Sequence, residues 1–384
     1  MEVWCSRKMK VLLVNYEFPP LGGGASNATW FIGKSLVKLG HEVSVLTSGW
    51  GALKGWSHES GMEIDRLSTG RRQKDCSGNM EKLLFLLIAL VKLHKIVKDK
   101  QTQGIIVFFT IPCGPLGWVA KRIYGIPYVI SLRGGDVPGL VPEISWIHSL
   151  IKPVRRASLK SAIAVVANSE GLRRLSEEFD PISVRVISNG VDTEFFYPLP
   201  PREVRNFRFL FVGRFQSQKN LFFLLENIVQ ISDKCSNPFT VMLVGDGPLK
   251  DEVIKHAGIL GIGNRFEWVG WCDKLELRKL YQNADCFINP SLYEGMPNTV
   301  LEAMACGLPV IASNVIGNLD LVCNGETGYL FDLERPDDFQ KFLIDLLEDP
   351  DKAKRFGIAG RQRVEAEFSW LRVANEYVEL FERE

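Results

Sequence analysis

The stretch FINPSLYEGMPNTVLEAMACGLPVIA, residues 287–312, reads as strand, loop, helix, turn and strand, and it decides the fold class. Pro297 suits the first turn of a helix, Asn298 is a capping residue beside it, and Gly307 supplies the stop before residues 308–312 re-enter a sheet. A helix start of this kind offers backbone N–H groups and a partial positive charge, which favours a bound phosphate. Leu301, Met304 and Ala305 fall at helical spacing and bury one face. Glu302 lies off that stripe, and Glu294 sits in the loop before the helix.

Working outward, the same strand–helix alternation runs through both halves of the chain. Residues 10–15 (KVLLVN) form a buried strand followed by a glycine loop (Gly22, Gly23, Gly24) and a helix to about residue 39. Strands are expected at 43–47, 104–109, 128–132, 162–167 and 184–187, with helices at 80–98, 116–124 and 149–160 and one opening at Ser169. Residues 48–78 read as a polar stretch. Residues 198–206 (PLPPREVRN) are proline-rich and charged, as a linker should be. A second series then repeats the pattern, with strands at 207–212, 239–244, 266–269 and 286–289 and helices at 220–231, 249–260 and 274–283. Residues 358–384 read as helix. Such alternation implies parallel, doubly wound sheets covered on both faces, with ligands at the carboxyl ends of the strands. Two such sheets are expected to share one cleft.

Composition narrows the function class. With 384 residues, 46% apolar and 24% charged, the chain has ample core for two domains. Eight cysteines (5, 76, 113, 235, 272, 286, 306 and 323) form no CxxC pair, which suits reduced thiols in a cytoplasmic protein better than disulfides or zinc. No secretory signal is visible, and Met9 stands as a second plausible start. The most helix-like apolar run, residues 83–91, falls short of the roughly 20 residues a bilayer span needs. The net charge of +1 hides an asymmetry: residues 1–200 hold 25 Lys+Arg against 17 Asp+Glu, and residues 201–384 hold 21 against 28. The basic half could meet an anionic membrane or a phosphorylated acceptor, or be an ordinary solvated surface. Lys152, Arg155, Arg156 and Lys160, near an apolar helix, are the cations a peripheral membrane contact would use. Nothing calls for a nucleic-acid partner.

Two cations five residues apart, Arg214 and Lys219, follow Gly213 at the end of strand 207–212 and precede a helix. An arginine fork and a lysine point charge aimed at one pyrophosphate would stabilise a leaving nucleoside diphosphate; alone, the pair reads more simply as a solvated loop, and it is the second stretch, residues 287–312, that reverses the preference. The turn VGDGP (244–248) is accounted for by turn chemistry. Glu294 and Glu302 could be an acid pair for hydrolysis or acceptors for sugar and ribose hydroxyls. Neither half carries the G-x-G-x-x-G of a nicotinamide-dependent oxidoreductase.

Taken together, VGRFQSQKN (212–220), VGDGP (244–248) and PSLYEGMPNTVLEAMACGLPVIAS (290–313) resemble the retaining glycosyltransferases of family 4, the group 1 glycosyl transferases. SNGVDTEFF (188–196), FPPLGGGASN (18–27) and GHEVSVLT (40–47) agree, so the likeness covers nearly the whole chain. The resemblance implies a GT-B fold of two facing Rossmann-like domains. Residues 1–197 would be the acceptor-side domain, 198–206 the linker and 207–365 the nucleotide-sugar domain, with a helix at about 366–384 crossing back onto the first. By motif, Arg214 and Lys219 would hold the donor pyrophosphate, Glu302 the ribose hydroxyls, and Glu294 would lie near the transferred sugar. Gly213, Gly295, Met296, Asn298 and Thr299 would contact sugar and phosphate, and Gly23 and Gly24 would close the site from the first domain. The resemblance implies a nucleoside-diphosphate sugar as substrate, a hydroxyl acceptor that is lipid-linked or anionic in one version, and no metal or other cofactor. A nucleotide-sugar epimerase and a non-catalytic partner subunit share this fold. One departure is Ser131-Leu-Arg133-Gly-Gly-Asp136, where many members carry a histidine at the position of Arg133. Arg133 could bind an anionic group on acceptor or sugar, or pair with Asp136.

Overall fold

The structure, a computed structural model, describes residues 8–74, 77–141, 145–200, 206–232, 234–235 and 237–382. Two expected features, Cys5 and Cys76, lie outside these, as does most of the linker. The chain divides into two compact units, Met1–Asn189 with Trp370–Glu384, and Gly190–Ser369.

The first unit begins with β1 (Lys10–Val14), α1 (Gly24–Lys38), β2 (Glu42–Ser48), β3 (Gly55–Glu59) and β4 (Met62–Leu67). It continues with α2 (Asn79–Asp99), β5 (Gly104–Phe108), α3 (Gly114–Tyr124), β6 (Tyr128–Ser131), α4 (Ser145–Leu150), α5 (Lys152–Ser161), β7 (Ala164–Ala167), α6 (Glu170–Phe179) and β8 (Val184–Val186). Its sheet runs in the order β3-β4-β2-β1-β5-β6-β7-β8. The pairings are parallel except at the edge, where β3 is antiparallel to β4. Residues 48–78, read from the sequence as a polar stretch, thus contain two strands. The charges of β4 hide its pattern because their partners come from elsewhere: Asp65 is buried against Lys92 at 3.5 Å, and Arg66 donates to Ser57 Oγ and to the Pro19 carbonyl.

The second unit runs β9 (Phe207–Val212), α7 (Leu221–Ser232), β10 (Phe239–Val244), α8 (Lys250–Ile259), β11 (Phe266–Val269), α9 (Lys274–Asn283) and β12 (Cys286–Asn289). After these come α10 (Asn298–Ala305), β13 (Val310–Ser313), β14 (Gly328–Phe331), α11 (Pro336–Glu348) and α12 (Pro350–Glu367). Its parallel sheet has the order β11-β10-β9-β12-β13-β14. Alternate residues of each strand feed opposite faces. Phe209, Phe211, Val241, Leu243 and Ile288 join one apolar core, with Leu224 and Phe339. Leu210, Met242, Phe287 and Val310 join the other, with Leu301 and Met304. Both faces are therefore apolar, and the strands read as continuous hydrophobic runs.

The division falls at Asn189 and Gly190, not after Tyr197, because Val191 and Phe196 are buried in the second unit's core beside Leu301 and Met304. The expected C-terminal helix is two helices. The chain breaks at Phe368, whose carbonyl accepts from Val191 N–H at 2.8 Å, before α13 (Trp370–Glu382) begins. This last helix packs on the first unit. Trp370 stacks on Phe31 of α1 at 5.2 Å, and Tyr377 OH lies 2.7 Å from Ser131 Oγ at the end of β6.

Candidate active site

In the second unit the chain runs from β9 outward through β10 and β11, then returns to place β12 on the other side of β9. The carboxyl ends of β9 and β12 therefore flank the point where strand order reverses, which is where an open parallel sheet leaves a crevice. Arg214 and Lys219 follow β9, and Glu294 follows β12. Lys219 Nζ donates to Glu294 Oε1 at 2.5 Å, with the two side chains 14% and 8% exposed. Gln218 ties the two loops together: its carbonyl accepts from Leu292 N–H at 2.8 Å and its amide donates to the Tyr293 carbonyl at 2.8 Å. Arg214 is half-buried, and its Nε has no hydrogen-bond partner among the described residues.

The loop carrying Glu294 is held from below by a buried polar network. Ser291 Oγ donates to Asn289 Oδ1 at 2.6 Å, Asn289 donates to Asn318 Oδ1 at 3.0 Å, and Gly317 N–H donates to the Glu294 carbonyl at 3.2 Å. Gly295 and Met296 continue this loop into α10. The expected cap differs: Pro297 is the N-cap, no side chain caps the helix, and Asn298 and Thr299 form its first turn. The start of α10 thus faces the same strand ends with its backbone dipole. Glu302, one turn further on, accepts from Tyr281 OH at 3.1 Å. Burial pushes its carboxyl up to about 7 against the stabilising Tyr281 hydrogen bond.

The VGDGP turn does more than reverse the chain. Gly245 has φ +137°, and a Cβ there would lie 2.0 Å from the Gly213 carbonyl oxygen; one on Gly247 would lie 2.4 Å from that of Phe215. Phe215 N–H donates to the Asp246 carbonyl at 2.9 Å. The two glycines let the β10 loop lie directly on the Gly213–Phe215 backbone and so fix where Arg214 starts.

In the first unit, Gly23 is the N-cap of α1 and Gly24 its first residue, and a Cβ on Gly23 would meet nothing within 4 Å. They follow β1, which flanks β5 at this sheet's own reversal of strand order. Asp136 is buried and accepts from Thr110 N–H at 2.7 Å, Thr110 Oγ1 at 3.1 Å and Arg133 N–H at 2.9 Å. The Arg133 guanidinium makes no ion pair with it. It lies over the Phe108 ring and donates to Asn189 Oδ1 at 2.7 Å and Tyr377 OH at 3.4 Å. Arg133 is therefore a brace between β6, Asn189 and α13 rather than the ion-pair partner of Asp136, and its buried Nε has no hydrogen-bond partner among the described residues. The membrane cations also need correcting. Arg155 is buried, and Arg155 and Arg156 both bond Asp180 at 2.7 Å.

Two family models match the chain: glycosyl transferases group 1 over residues 200–363 and glycosyltransferase family 4 over residues 22–195. The UDP-Gal:alpha-D-GlcNAc-diphosphoundecaprenol alpha-1,3-galactosyltransferase of Escherichia coli is 30% identical over 280 residues, 68% of this chain and 70% of that one. The chain belongs to the family 4, group 1 glycosyltransferases. This glycosyltransferase is also 26% identical over 316 residues to the alpha-maltose-1-phosphate synthase of Mycolicibacterium smegmatis, covering 75% of this chain and 81% of that one. Among solved structures, a sucrose-phosphate synthase from Thermosynechococcus elongatus superposes with a TM-score of 0.84 at 24% identity, over 98% of this chain and 99% of that one. The fold is GT-B.

Sequence reading of the glycosyltransferase missed Gln218 and Tyr281, and it took Gly245 and Gly247 for turn residues without their packing on the Gly213–Phe215 backbone. The glycines carried a signal, two of them in five residues at a strand end; the glutamine and tyrosine carried none, because their partners lie 75 and 21 residues away. Among the described residues of the glycosyltransferase, no group of three or more His, Cys, Asp or Glu side chains is placed to hold a metal ion.

Proposed function

We propose that this glycosyltransferase moves a sugar from a nucleoside-diphosphate donor to a hydroxyl acceptor with retention of anomeric configuration, in the assembly of a glycan or lipid-linked saccharide. One observation carries the reading: Arg214, Lys219, Glu294 and the start of α10 converge on the carboxyl ends of β9 and β12. Two cations and a helix N-terminus at a strand-order reversal suit a pyrophosphate. Arg214 offers an unpartnered Nε–H and Lys219 has N–H bonds beyond the one given to Glu294. Glu294, held by Lys219, then accepts from hydroxyls of the transferred sugar, and Glu302 from those of the ribose.

In the proposed transfer the bond from sugar C1 to the phosphate oxygen breaks as the acceptor oxygen bonds C1 on the same face. The acceptor proton passes to the departing phosphate oxygen. The negative charge that develops there is met by Arg214, Lys219 and the α10 amides, an electrostatic contribution that needs no metal. The E. coli relative, named for a UDP-sugar donor and a lipid diphosphate acceptor, supports the donor class and a lipid-linked acceptor. Contact with an anionic membrane belongs to the same proposal, as does work in the cytoplasm, where the free thiols of Cys113, Cys286 and Cys306 would stay reduced.

A binding screen over nucleotide sugars followed by turnover with a lipid-linked acceptor tests the reading, with the product anomer assigned by NMR. The expected result is one preferred donor, a product of unchanged anomeric configuration and turnover insensitive to a chelator. Sugar released in altered form without any acceptor would instead indicate an epimerase, and no nucleotide-sugar binding at all would indicate a non-catalytic subunit.

A further inference from the structure

Helix α2 buries Phe85, Ala89, Leu93, Ile96 and Val97 against its own unit, as an amphipathic helix should. Its opposite face is apolar too. Met80, Leu83, Leu84, Leu87 and Val91 are all exposed, Val91 to 83%. Their spacing of three or four residues puts them in one outward stripe over three turns. The stripe then turns basic: Lys95 and Lys98 are exposed and carry no ion pair among the described residues. A soluble surface helix would place charges along this whole face.

The apolar exposure is not confined to α2. Helix α3 packs between α2 and α5, joined to α2 by a 3.0 Å contact of His94 Nδ1 with Tyr124 OH. On its other side, Trp146, Leu150 and Val154 of α4 and α5 stand 68%, 74% and 52% exposed, beside Lys152 and Lys160. A tryptophan and several leucines standing out from a helical layer, with lysines among them, have the chemistry of a surface that lies in the headgroup region of a bilayer. No helix of the described residues is long and apolar enough to cross a membrane.

We propose that the outer face of α2, continued by α4 and α5, docks this protein on an anionic lipid bilayer. The stripe Met80–Leu87–Val91 enters the acyl boundary, and Lys95 and Lys98 meet the headgroup phosphates. Charge complementarity selects this occupant: the apolar stripe is bordered by cations without acidic partners, and residues 1–200 carry the chain's excess of Lys and Arg. The inference locates the membrane contact put forward above. It is independent of donor and acceptor, so its failure would leave the transferase reading intact.

The test is vesicle flotation of the full chain without sugar substrates, using phosphatidylcholine vesicles with and without about a third phosphatidylglycerol. Wild type should float with the anionic vesicles and lose binding as salt rises. K95E/K98E should bind more than tenfold more weakly, since each Lys near such a surface is worth about fivefold in affinity. L87D/V91D should bind at least as weakly while keeping the wild-type melting temperature, because both side chains are solvent-exposed. Absence of flotation by wild type, equal binding to neutral vesicles, or full binding by L87D/V91D would each overturn the proposal. So would a concentration-dependent dimer in light scattering that L87D/V91D abolishes without vesicle binding, which would assign the face to a second copy.

Discussion

Replacing Lys219 with methionine isolates the ion pair at the centre of the candidate site. The pair is 2.5 Å apart with 14% and 8% side-chain exposure, so water screens it little. At an effective dielectric of about 20, charges at 2.5 Å attract by roughly 6–7 kcal/mol, a gross figure that desolvation of both ions offsets by several kcal/mol. Removing only Lys219 keeps the desolvation cost of Glu294 and loses its compensation, which destabilises by about 3–5 kcal/mol. For a unit of this size that lowers the melting temperature of the second unit's transition by about 6–20 °C. Glu294→Gln should act in the same direction. The double variant Lys219→Met/Glu294→Gln should recover part of the loss, with a coupling of about 1–3 kcal/mol. Scanning calorimetry on the four proteins measures this, and turnover separates the second role. The single variants lose on the order of 10²–10³ in kcat, and the double variant regains stability without regaining turnover. Additive melting shifts, with no recovery in the double variant, would refute the coupling on which the site's construction rests.

Further outcomes follow from neighbouring groups. Arg214→Ala should leave the melting temperature within a few degrees, since its Nε bonds nothing among the described residues, yet lower kcat by on the order of 10²–10³; near-normal turnover would remove Arg214 from the leaving-group site. Glu302 holds its proton more tightly folded than unfolded, so its contribution is fully present below its ordinary value near 4.5 and is lost as pH rises through about 7. Wild type should therefore lose about 3 kcal/mol relative to Glu302→Gln between pH 4.5 and 8, and parallel denaturation curves across that range would contradict the burial argument. If ribose hydroxyls donate to the ionised carboxylate, nucleotide affinity in titration calorimetry should also fall as pH drops below about 7, an effect absent in Glu302→Gln. Gly245→Ala forces a Cβ to within 2.0 Å of the Gly213 carbonyl at φ +137°; it should cost more than the roughly 1–3 kcal/mol of backbone strain alone and should lower turnover by displacing Arg214. Wild-type kinetics in that variant would mean the β10 loop does not set the arginine's position.

The sequence by itself determined what is local. Strand and helix periods, the glycine and proline stops and the short loops after strands were enough for two doubly wound α/β halves, because periodicity and turn chemistry act over a few residues. The same locality put Arg214, Lys219, Glu294 and the start of α10 at strand ends. Tertiary structure alone decided which ends meet. Strand β12 returns beside β9, and this brings Lys219 to Glu294 across 75 residues and makes Gln218 their clasp. It braces Arg133 against Tyr377, 244 residues away, and pairs Arg155 and Arg156 with Asp180, so two cations that look available in the sequence are already ion-paired. It also buries the charged strand β4 by supplying Lys92, and leaves the apolar stripe of α2 uncovered. A side chain's type says what it can bond. Which partner it bonds depends on chain crossings that no local pattern encodes.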